Sequence, residues 1–313
     1  MVERETAEWR LLGNARAGVG EGPVYAPDDG ALFWIGIFEP TLNRTDTQSG
    51  ETRKWRLPTT GGSYALLDDA SGAVVACADG IHHLDFSSGR TRLLCGAPYN
   101  QEDFRFNDGL CDPHGRFWVG TIRLPGSLVA NGSGHFYRYD GTTLAAQIGG
   151  VTIANGIAFS PAGTTMYLAD RVNARLLAYD YNTSTGTASD ERVFVALPEG
   201  LIADGAAVDA RGGYWIAMFK SGEVRRYLAD GTLDRIVETP VSQPTMCAFG
   251  GGNLETMFLT TAYLFLEPEQ AAREPHAGAV FAADVGERGL PEPRFDRSRL
   301  PLPTNHDEGT GSR

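Results

Sequence analysis

The stretch RFNDGLCDPHGRFWVGT, residues 105–121, contains two turn signals close together. Asn-Asp-Gly at 107–109 and Asp-Pro-His-Gly at 112–115 both favour turns, and each borders a short apolar run. A hairpin needs only one tight turn between its two strands. Since the second signal lies between the two apolar runs, the first must serve another purpose.

The same phrase recurs along the chain: a small or polar opening, an apolar run, a turn and a second apolar run. Six copies, 41 to 49 residues apart, open at Glu21, Tyr64, Asn107, Asn155, Asp204 and Thr245. Four short strands and their turns fill about 40 to 50 residues, the length of one propeller blade. We predict an all-β fold, a six-bladed β-propeller with four-stranded antiparallel blades around a central channel.

The repeats follow one another from Glu21 to about Val285 without a linker, so residues 1–313 are predicted to form a single domain. Residues 1–20 include the strand-like EWRLLGNAR, and we expect this segment to close the last blade. Residues 300–313, LPLPTNHDEGTGSR, lack periodicity and are interpreted as a polar C-terminal tail.

Composition narrows the class of partner. The chain has 39 acidic and 27 basic residues, a formal charge of -12 and no Lys/Arg-rich stripe, which disfavours nucleic acid. The N-terminus lacks an apolar core, and no apolar run approaches the roughly 18 residues of a membrane span. Four cysteines occur without a CxxC pair and are interpreted as buried thiols. These features predict a cytoplasmic protein that binds neither nucleic acid nor membrane.

The opening residues of the repeats define a candidate site. The first strand of each propeller blade lines the channel, so these residues should converge at its mouth. Glu21, Asn107, Asn155 and Asp204 supply hard oxygen donors of the kind that Ca²⁺ prefers. An isolated Asn-Gly or Asp-Gly is usually only a turn, but here the hairpin turns lie downstream. Tyr64 belongs to the same ring, where its hydroxyl either binds substrate or packs.

Four of the repeats resemble a known family. GEGPVYAPDDGALFWIGI, RFNDGLCDPHGRFWVGT, NGIAFSPAGTTMYLAD and DGAAVDARGGYWIAM, in this order and spacing, are similar to the gluconolactonase/regucalcin family, also called the senescence marker protein family. Its members are six-bladed β-propellers. The similarity covers nearly the whole chain.

The resemblance implies a metal-dependent sugar lactonase. By position in the motifs, Glu21, Asn155 and Asp204 would hold one divalent cation, with Ca²⁺ the first choice and Zn²⁺, Mg²⁺ or Mn²⁺ the others. Arg105 and Asn107 would contact the substrate, and Asp204 would serve as the base. The expected reaction is the hydrolysis of an aldonolactone or aldarolactone to the open-chain acid.

One segment departs from the family pattern. Where sugar-binding members carry acidic residues after the third repeat, this chain reads GTIRLPG, with Arg123. A cation at this position favours an anionic substrate, so we hypothesise a lactone with a second acidic group, such as a carboxylate or a sulfonate. The alternative is that Arg123 points to solvent.

Two other functions fit the same ring. A similar metal site polarises a phosphoryl oxygen as well as a carbonyl, so a propeller that hydrolyses organophosphates is one alternative. A non-catalytic Ca²⁺-binding propeller is the other. The expected partner is a small-molecule sugar lactone, and no feature of the sequence indicates an oligomeric state.

Overall fold

The computed structural model describes Val2 and residues 4–301, and it confirms the predicted all-β fold. The strands are, in chain order, β1 (Arg4–Thr6), β2 (Arg10–Arg16), β3 (Gly20–Ala26), β4 (Ala31–Gly36), β5 (Thr41–Asp46), β6 (Thr52–Arg56), β7 (Gly61–Leu66), β8 (Gly72–Cys77), β9 (Gly80–Asp85), β10 (Thr91–Gly96), β11 (Phe104–Cys111), β12 (Phe117–Arg123), β13 (Gly134–Tyr139), β14 (Leu144–Val151), β15 (Ala154–Phe159), β16 (Thr165–Asp170), β17 (Arg175–Asn182), β18 (Thr187–Ala196), β19 (Ile202–Val208), β20 (Tyr214–Phe219), β21 (Glu223–Tyr227), β22 (Leu233–Glu238), β23 (Pro244–Gly250), β24 (Thr256–Thr261) and β25 (Ala279–Asp284). Helix α1 (Pro268–Arg273) lies between β24 and β25, and 3₁₀ turns occur at Pro27–Asp29 and Arg297–Arg299.

The strands form six sheets, the blades of a β-propeller, as predicted, and all of their strand pairs are antiparallel except that of β1 with β22. Blades 1 to 4 are β3–β6, β7–β10, β11–β14 and β15–β18, and each is built from consecutive strands. Blade 5 contains β19–β22, and blade 6 contains β23–β25. The first strand of every blade starts a repeat identified in the sequence, so the repeat is the structural unit.

The N-terminal strands complete the last two blades. β2 pairs antiparallel with β25, with Leu11 opposite Phe281, and forms the outer strand of blade 6. β1 runs parallel to β22 and adds a fifth strand to blade 5. Because β2 leads directly into β3, blades 6 and 1 are joined through the chain, which closes the ring.

The hairpin turns lie where the sequence places them. In DPHG the Gly115 amide donates to the Asp112 carbonyl at 2.9 Å, and in DARG the Gly212 amide donates to the Asp209 carbonyl at 2.9 Å. Both glycines have a left-handed backbone, with φ of 72° and 85°, which glycine adopts without a steric penalty. The Asn-Asp-Gly turn of residues 107–109 is therefore not the hairpin turn.

Apolar side chains fill the spaces between neighbouring blades. Phe33 and Trp55 of blade 1, for example, share one core cluster with Val75 and Leu84 of blade 2. This packing gives the channel a rigid wall.

Among the described residues, no helix is both long and apolar enough to cross a membrane. Most of the predicted C-terminal tail, from residue 302 onward, lies outside the described residues.

Candidate active site

Each inner strand contains a β-bulge close to the residue that opens its repeat. The pairing register shifts by one residue at Glu21 in β3, at Asn155 in β15, and at the same level in the other four inner strands. A bulge bends the strand and changes the direction of its side chains. Gly22 and Gly156 have φ of 56° and 66°, which makes glycine the favoured residue there. The pairs Glu21-Gly22 and Asn155-Gly156, which the hairpin turns did not explain, are thus parts of these bulges.

A chain of hydrogen bonds joins the predicted site residues of blades 3, 4 and 5. Arg105 Nη1 donates to Asn107 Oδ1 at 2.9 Å, and Asn107 Nδ2 donates to Asn155 Oδ1 at 2.7 Å. Asn155 Nδ2 then donates to Asp204 Oδ1 at 2.8 Å. These three hydrogen bonds fix both carboxamides and leave Asp204 Oδ2 without a hydrogen bond from the described residues.

Three carboxyl groups near these hydrogen bonds have raised pKa values. Burial raises the pKa of Glu21 well above its usual value, and the charges of Asp204 and Asp108 add to this effect. Burial also raises the pKa of Asp204 to about 7, although Arg171 opposes the shift. The pKa of Asp108 is about 6, again because of burial, even though its carboxylate accepts a hydrogen bond from the Ile157 amide.

The site opens into a cavity of about 230 Å³ at the mouth of the channel. Five of the seven residues expected at the metal or the substrate line it, namely Glu21, Arg105, Asn107, Asn155 and Asp204. Apolar side chains form another part of the wall, namely Val19, Ile37, Phe38, Ile122, Ile153, Ile202, Phe219 and Phe265. The cavity therefore combines a polar floor with an apolar wall, as small-molecule sites commonly do.

The donors in this cavity fit a hard divalent cation. Glu21 and Asp204 supply carboxylate oxygens, and Asn155 Oδ1 keeps one lone pair beyond the hydrogen bond that it accepts. Few hydrogen-bond donors reach the two buried carboxylates: the Gly22 amide contacts Glu21 at 3.3 Å and Asn155 contacts Asp204. A cation would offset the cost of burying these charges together.

The structure does not bring Tyr64 to the cavity. The bulge of β7 falls at residues 61–63, so Gly61, the last paired residue before the bulge, occupies the level that Glu21 occupies in β3. Tyr64 lies deeper, buried in the blade 1 and 2 core, and its hydroxyl donates to the Gly22 carbonyl at 2.8 Å. Its contact with substrate stays a prediction, and its observed role is to brace the bulge that carries Glu21.

Arg123 does not line the cavity either. Its neighbour Ile122 does, while the Arg123 guanidinium donates to the Ser127 carbonyl at 2.8 Å and the Val129 carbonyl at 3.4 Å. In this structure, Arg123 therefore holds the loop that follows β12. A contact between Arg123 and substrate has no support from its position here.

Two cationic residues in the cavity escaped the sequence reasoning. Arg171 and Lys220 both line it, and they directly follow β16 and β20, the second strands of blades 4 and 5. Arg123 ends β12, the second strand of blade 3. A cationic residue at the end of the second strand is therefore visible in the sequence of three repeats. Comparing the ends of the second strands in all repeats shows it in LADR, residues 168–171, and AMFK, residues 217–220, as well as at Arg123.

A second cluster of possible ligands lies in blade 2. Atoms of Cys77, Asp79 and His82 lie within 4.8 Å of one another. His82 Nε2 is 3.0 Å from Asp79 Oδ1, which also accepts a hydrogen bond from the Thr59 hydroxyl at 2.8 Å. Burial raises the pKa of Cys77 to about 12, which keeps the thiol protonated near neutral pH. Polar contacts within blade 2 thus account for this cluster.

The fold and the oxygen-donor ring define a six-bladed propeller with a polar site at its channel mouth. The SMP-30/gluconolactonase/LRE-like family profile matches residues 19–263, and the chain belongs to that family. This confirms the resemblance drawn from the motifs.

Several relatives and solved structures are similar over most of the chain. A 6-deoxy-6-sulfogluconolactonase from Pseudomonas putida is 37% identical over 280 residues, 88% of this chain and 94% of the relative. An L-arabinolactonase from Azospirillum brasilense is 32% identical over 290 residues, 91% of this chain and 94% of the relative. A solved structure of a calcium-binding protein, regucalcin from Agrobacterium tumefaciens, has a TM-score of 0.89 and 28% identity, covering 94% of this chain and 99% of that one.

Proposed function

We propose that this protein hydrolyses the lactone of a sugar acid to the open-chain acid, with one divalent cation held by Glu21, Asn155 and Asp204. The observation that carries the proposal is the convergence of two buried carboxylates with raised pKa values and one carboxamide oxygen in a single cavity. Such a group of oxygen donors is unfavourable when left alone and suits a hard cation. The names of the lactonase relatives support this reaction. The name of the calcium-binding neighbour favours Ca²⁺ as the cation.

When bound, the cation would polarise the lactone carbonyl and stabilise the oxyanion that develops on it. Asp204 is the proposed base. Its Oδ1 accepts the hydrogen bond from Asn155, so Oδ2 is the atom placed to take the proton of the attacking water. As the bond between the carbonyl carbon and the ring oxygen breaks, this proton passes to the ring oxygen, which becomes the free hydroxyl of the acid.

Arg105 and Asn107 are proposed to position the substrate. Burial lowers the pKa of Arg105 to about 10, a value at which the guanidinium remains charged near neutral pH, and the Glu21 charge opposes this shift. Arg105 also donates to the Phe106 carbonyl at 2.7 Å, which anchors the guanidinium at the start of the bulge. Both side chains are thus fixed before substrate binds, which reduces the entropy lost on binding.

The substrate is proposed to be an aldonolactone that carries a second acidic group. The 6-deoxy-6-sulfogluconolactonase relative acts, by its name, on a sulfonated lactone.

We place the reaction in the cytoplasm, because all four cysteines are free thiols, as is usual in a reducing compartment.

A proton-release assay tests the reaction. The wild type is expected to hydrolyse aldonolactones, to lose this activity with a chelator and to regain it with Ca²⁺. Asp204→Asn should be inactive, whereas Asp230→Asn, which changes an exposed aspartate of the same blade, should match the wild type. Activity that persists in chelator would remove the cation from the proposal. Faster hydrolysis of a phosphotriester than of any lactone would replace the proposed reaction with the organophosphate alternative.

A further inference from the structure

The cavity is more positive than the protein as a whole. The chain has a formal charge of -12, yet three cationic side chains and two carboxylates line this cavity. Arg105 is hydrogen-bonded within the polar floor, whereas Arg171 is partly exposed and Lys220 is exposed, which puts both on the solvent side of the cavity, here called its rim. A cation bound by the carboxylates would leave the cavity with a still larger positive charge. Such a cavity attracts anions despite the overall charge of the protein.

Arg171 and Lys220 have no charged partner among the described residues. The nearest acid in sequence, Asp170, is paired instead with Arg175, at 2.5 Å. Neither Arg171 nor Lys220 makes an ion pair within 4.0 Å or a side-chain hydrogen bond in the described part of the chain. Both charges therefore remain free to bind a ligand in the cavity.

The backbone at Lys220 is strained. Its φ is 65°, a left-handed conformation that side-chain-bearing residues rarely adopt. Gly222, two residues later, has the same conformation, and its amide donates to the Ser242 carbonyl at 3.0 Å. The turn that follows β20 is thus tied to the segment that leads from blade 5 into blade 6, and this contact restrains the backbone next to Lys220.

We propose that Arg171 and Lys220 form a subsite for a second, tetrahedral acidic group of the substrate, a sulfonate or a phosphate. This inference rests on the proposed lactonase function. Both residues project from the blades that supply Asn155 and Asp204, so the acidic group would lie at the rim while the lactone carbonyl lies at the polar floor. A guanidinium fork and an ammonium group together match the several oxygens of such an anion.

Kinetics on paired substrates test the subsite. We compare a neutral aldonolactone with its 6-sulfonated and 6-phosphorylated counterparts. Arg171→Gln and Lys220→Gln should each lower kcat/KM for at least one anionic lactone by about 10- to 100-fold, the loss of one charged hydrogen bond, and change the neutral lactone by less than about 3-fold. The control variants Lys54→Gln and Arg56→Gln, on the exposed face of outer strand β6, should leave kcat/KM unchanged for both the neutral and the anionic lactones. Equal losses on neutral and anionic lactones would overturn the proposal.

A binding measurement separates this inference from the lactonase function. The chain has only two lysines, Lys54 and Lys220, so acetylation followed by mass spectrometry reports on each one. The sulfonated and phosphorylated open-chain acids are the probes, with the neutral acid as the control. At least one anionic acid should slow acetylation at Lys220 and not at Lys54. No selective protection of Lys220 would overturn the subsite, and this result stands even if the wild type hydrolyses no lactone.

Discussion

The two ends of strand β19 each carry a buried aspartate, and the two aspartates have opposite environments. Asp209, just beyond the strand, accepts hydrogen bonds from the Gly213 and Arg211 amides, each at 2.9 Å, from Trp215 Nε1 at 2.8 Å and from Arg226 Nε at 2.7 Å. Its pKa is lowered, because these hydrogen bonds outweigh the effect of burial. Asp204, near the start of the strand, accepts one side-chain hydrogen bond and has a raised pKa.

Blade 3 repeats this contrast. Asp112, in the hairpin turn, accepts from the His114 and Arg116 amides, at 2.9 and 3.0 Å, from Arg116 Nε at 2.6 Å and from the Tyr181 hydroxyl at 2.5 Å. In the bulge of the same strand, burial raises the pKa of Asp108 to about 6. A buried carboxylate with a full set of donors stabilises the fold. One with few donors and like-charged neighbours costs stability, so its presence indicates a function.

The largest expected effect is on activity at the channel mouth. Asp204→Asn should lower kcat by roughly 10²- to 10⁴-fold, the usual loss when a positioned base is removed. The metal-free variant should be at least as stable as the wild type, because a buried charge beside Glu21 and Asp108 is gone. Steady-state assays and urea denaturation check the two halves. A strongly destabilised Asp204→Asn would mean that both ends of β19 serve the fold.

The reverse result is expected at the other end. Asp209→Ala should lower the free energy of unfolding by about 3–5 kcal/mol, because the buried Arg226 loses the fully buried Asp209 carboxylate and Trp215 Nε1 loses its acceptor. Activity per folded molecule should stay close to that of the wild type. Asp234→Ala is the matched control, since Asp234 also pairs with Arg226, at 2.6 Å, but is partly exposed and should cost about 1 kcal/mol or less. Urea denaturation measures all three proteins.

The repeat period and the hairpin turns were enough to predict six blades and the level at which Glu21, Asn155 and Asp204 lie. Strand alternation predicts that Asp108 faces away from the side that its neighbour Asn107 uses, yet its charge acts on both Glu21 and Asp204. The physical reason is the bulge: an extra residue interrupts the alternation of side chains, and the sequence marks it only by short Asx-Gly or Glu-Gly pairs. Contacts between blades, such as Tyr64 to Gly22, depend on blade packing and were beyond local patterns.

Acid titration should separate the two ends in the metal-free protein. Asp204 has a folded pKa of about 7, above its unfolded value near 4, so the folded state binds the proton more tightly and stability falls as pH rises from about 4 to 7. Asp209 has a lowered folded pKa, so its contribution is present at neutral pH and is lost as pH falls below about 4. Thermal unfolding in chelator should therefore show a higher Tm at pH 5.5 than at pH 7.5. Asp204→Asn should reduce this difference without abolishing it, because the pKa values of Glu21 and Asp108 are raised as well, and added Ca²⁺ should reverse it.

The smallest effect is expected at the bulge that carries Asn155. Gly156→Ala places a Cβ at φ 66° and within 2.6 Å of the Tyr214 hydroxyl, which itself donates to the Gly156 carbonyl. We expect a loss of about 1–2 kcal/mol in stability from the left-handed backbone. Because the bulge also directs Asn155, kcat should fall by more than this stability loss accounts for. Gly212→Ala, in the hairpin turn after β19, is the control: its φ is 85° and the nearest atom to its Cβ is 3.8 Å away. Gly212→Ala should lose only the cost of the left-handed backbone and keep its kcat, whereas Gly156→Ala should lose more stability, because its Cβ also meets Tyr214 and Ala169. Equal kcat values in both variants would show that the bulge does not position the ring.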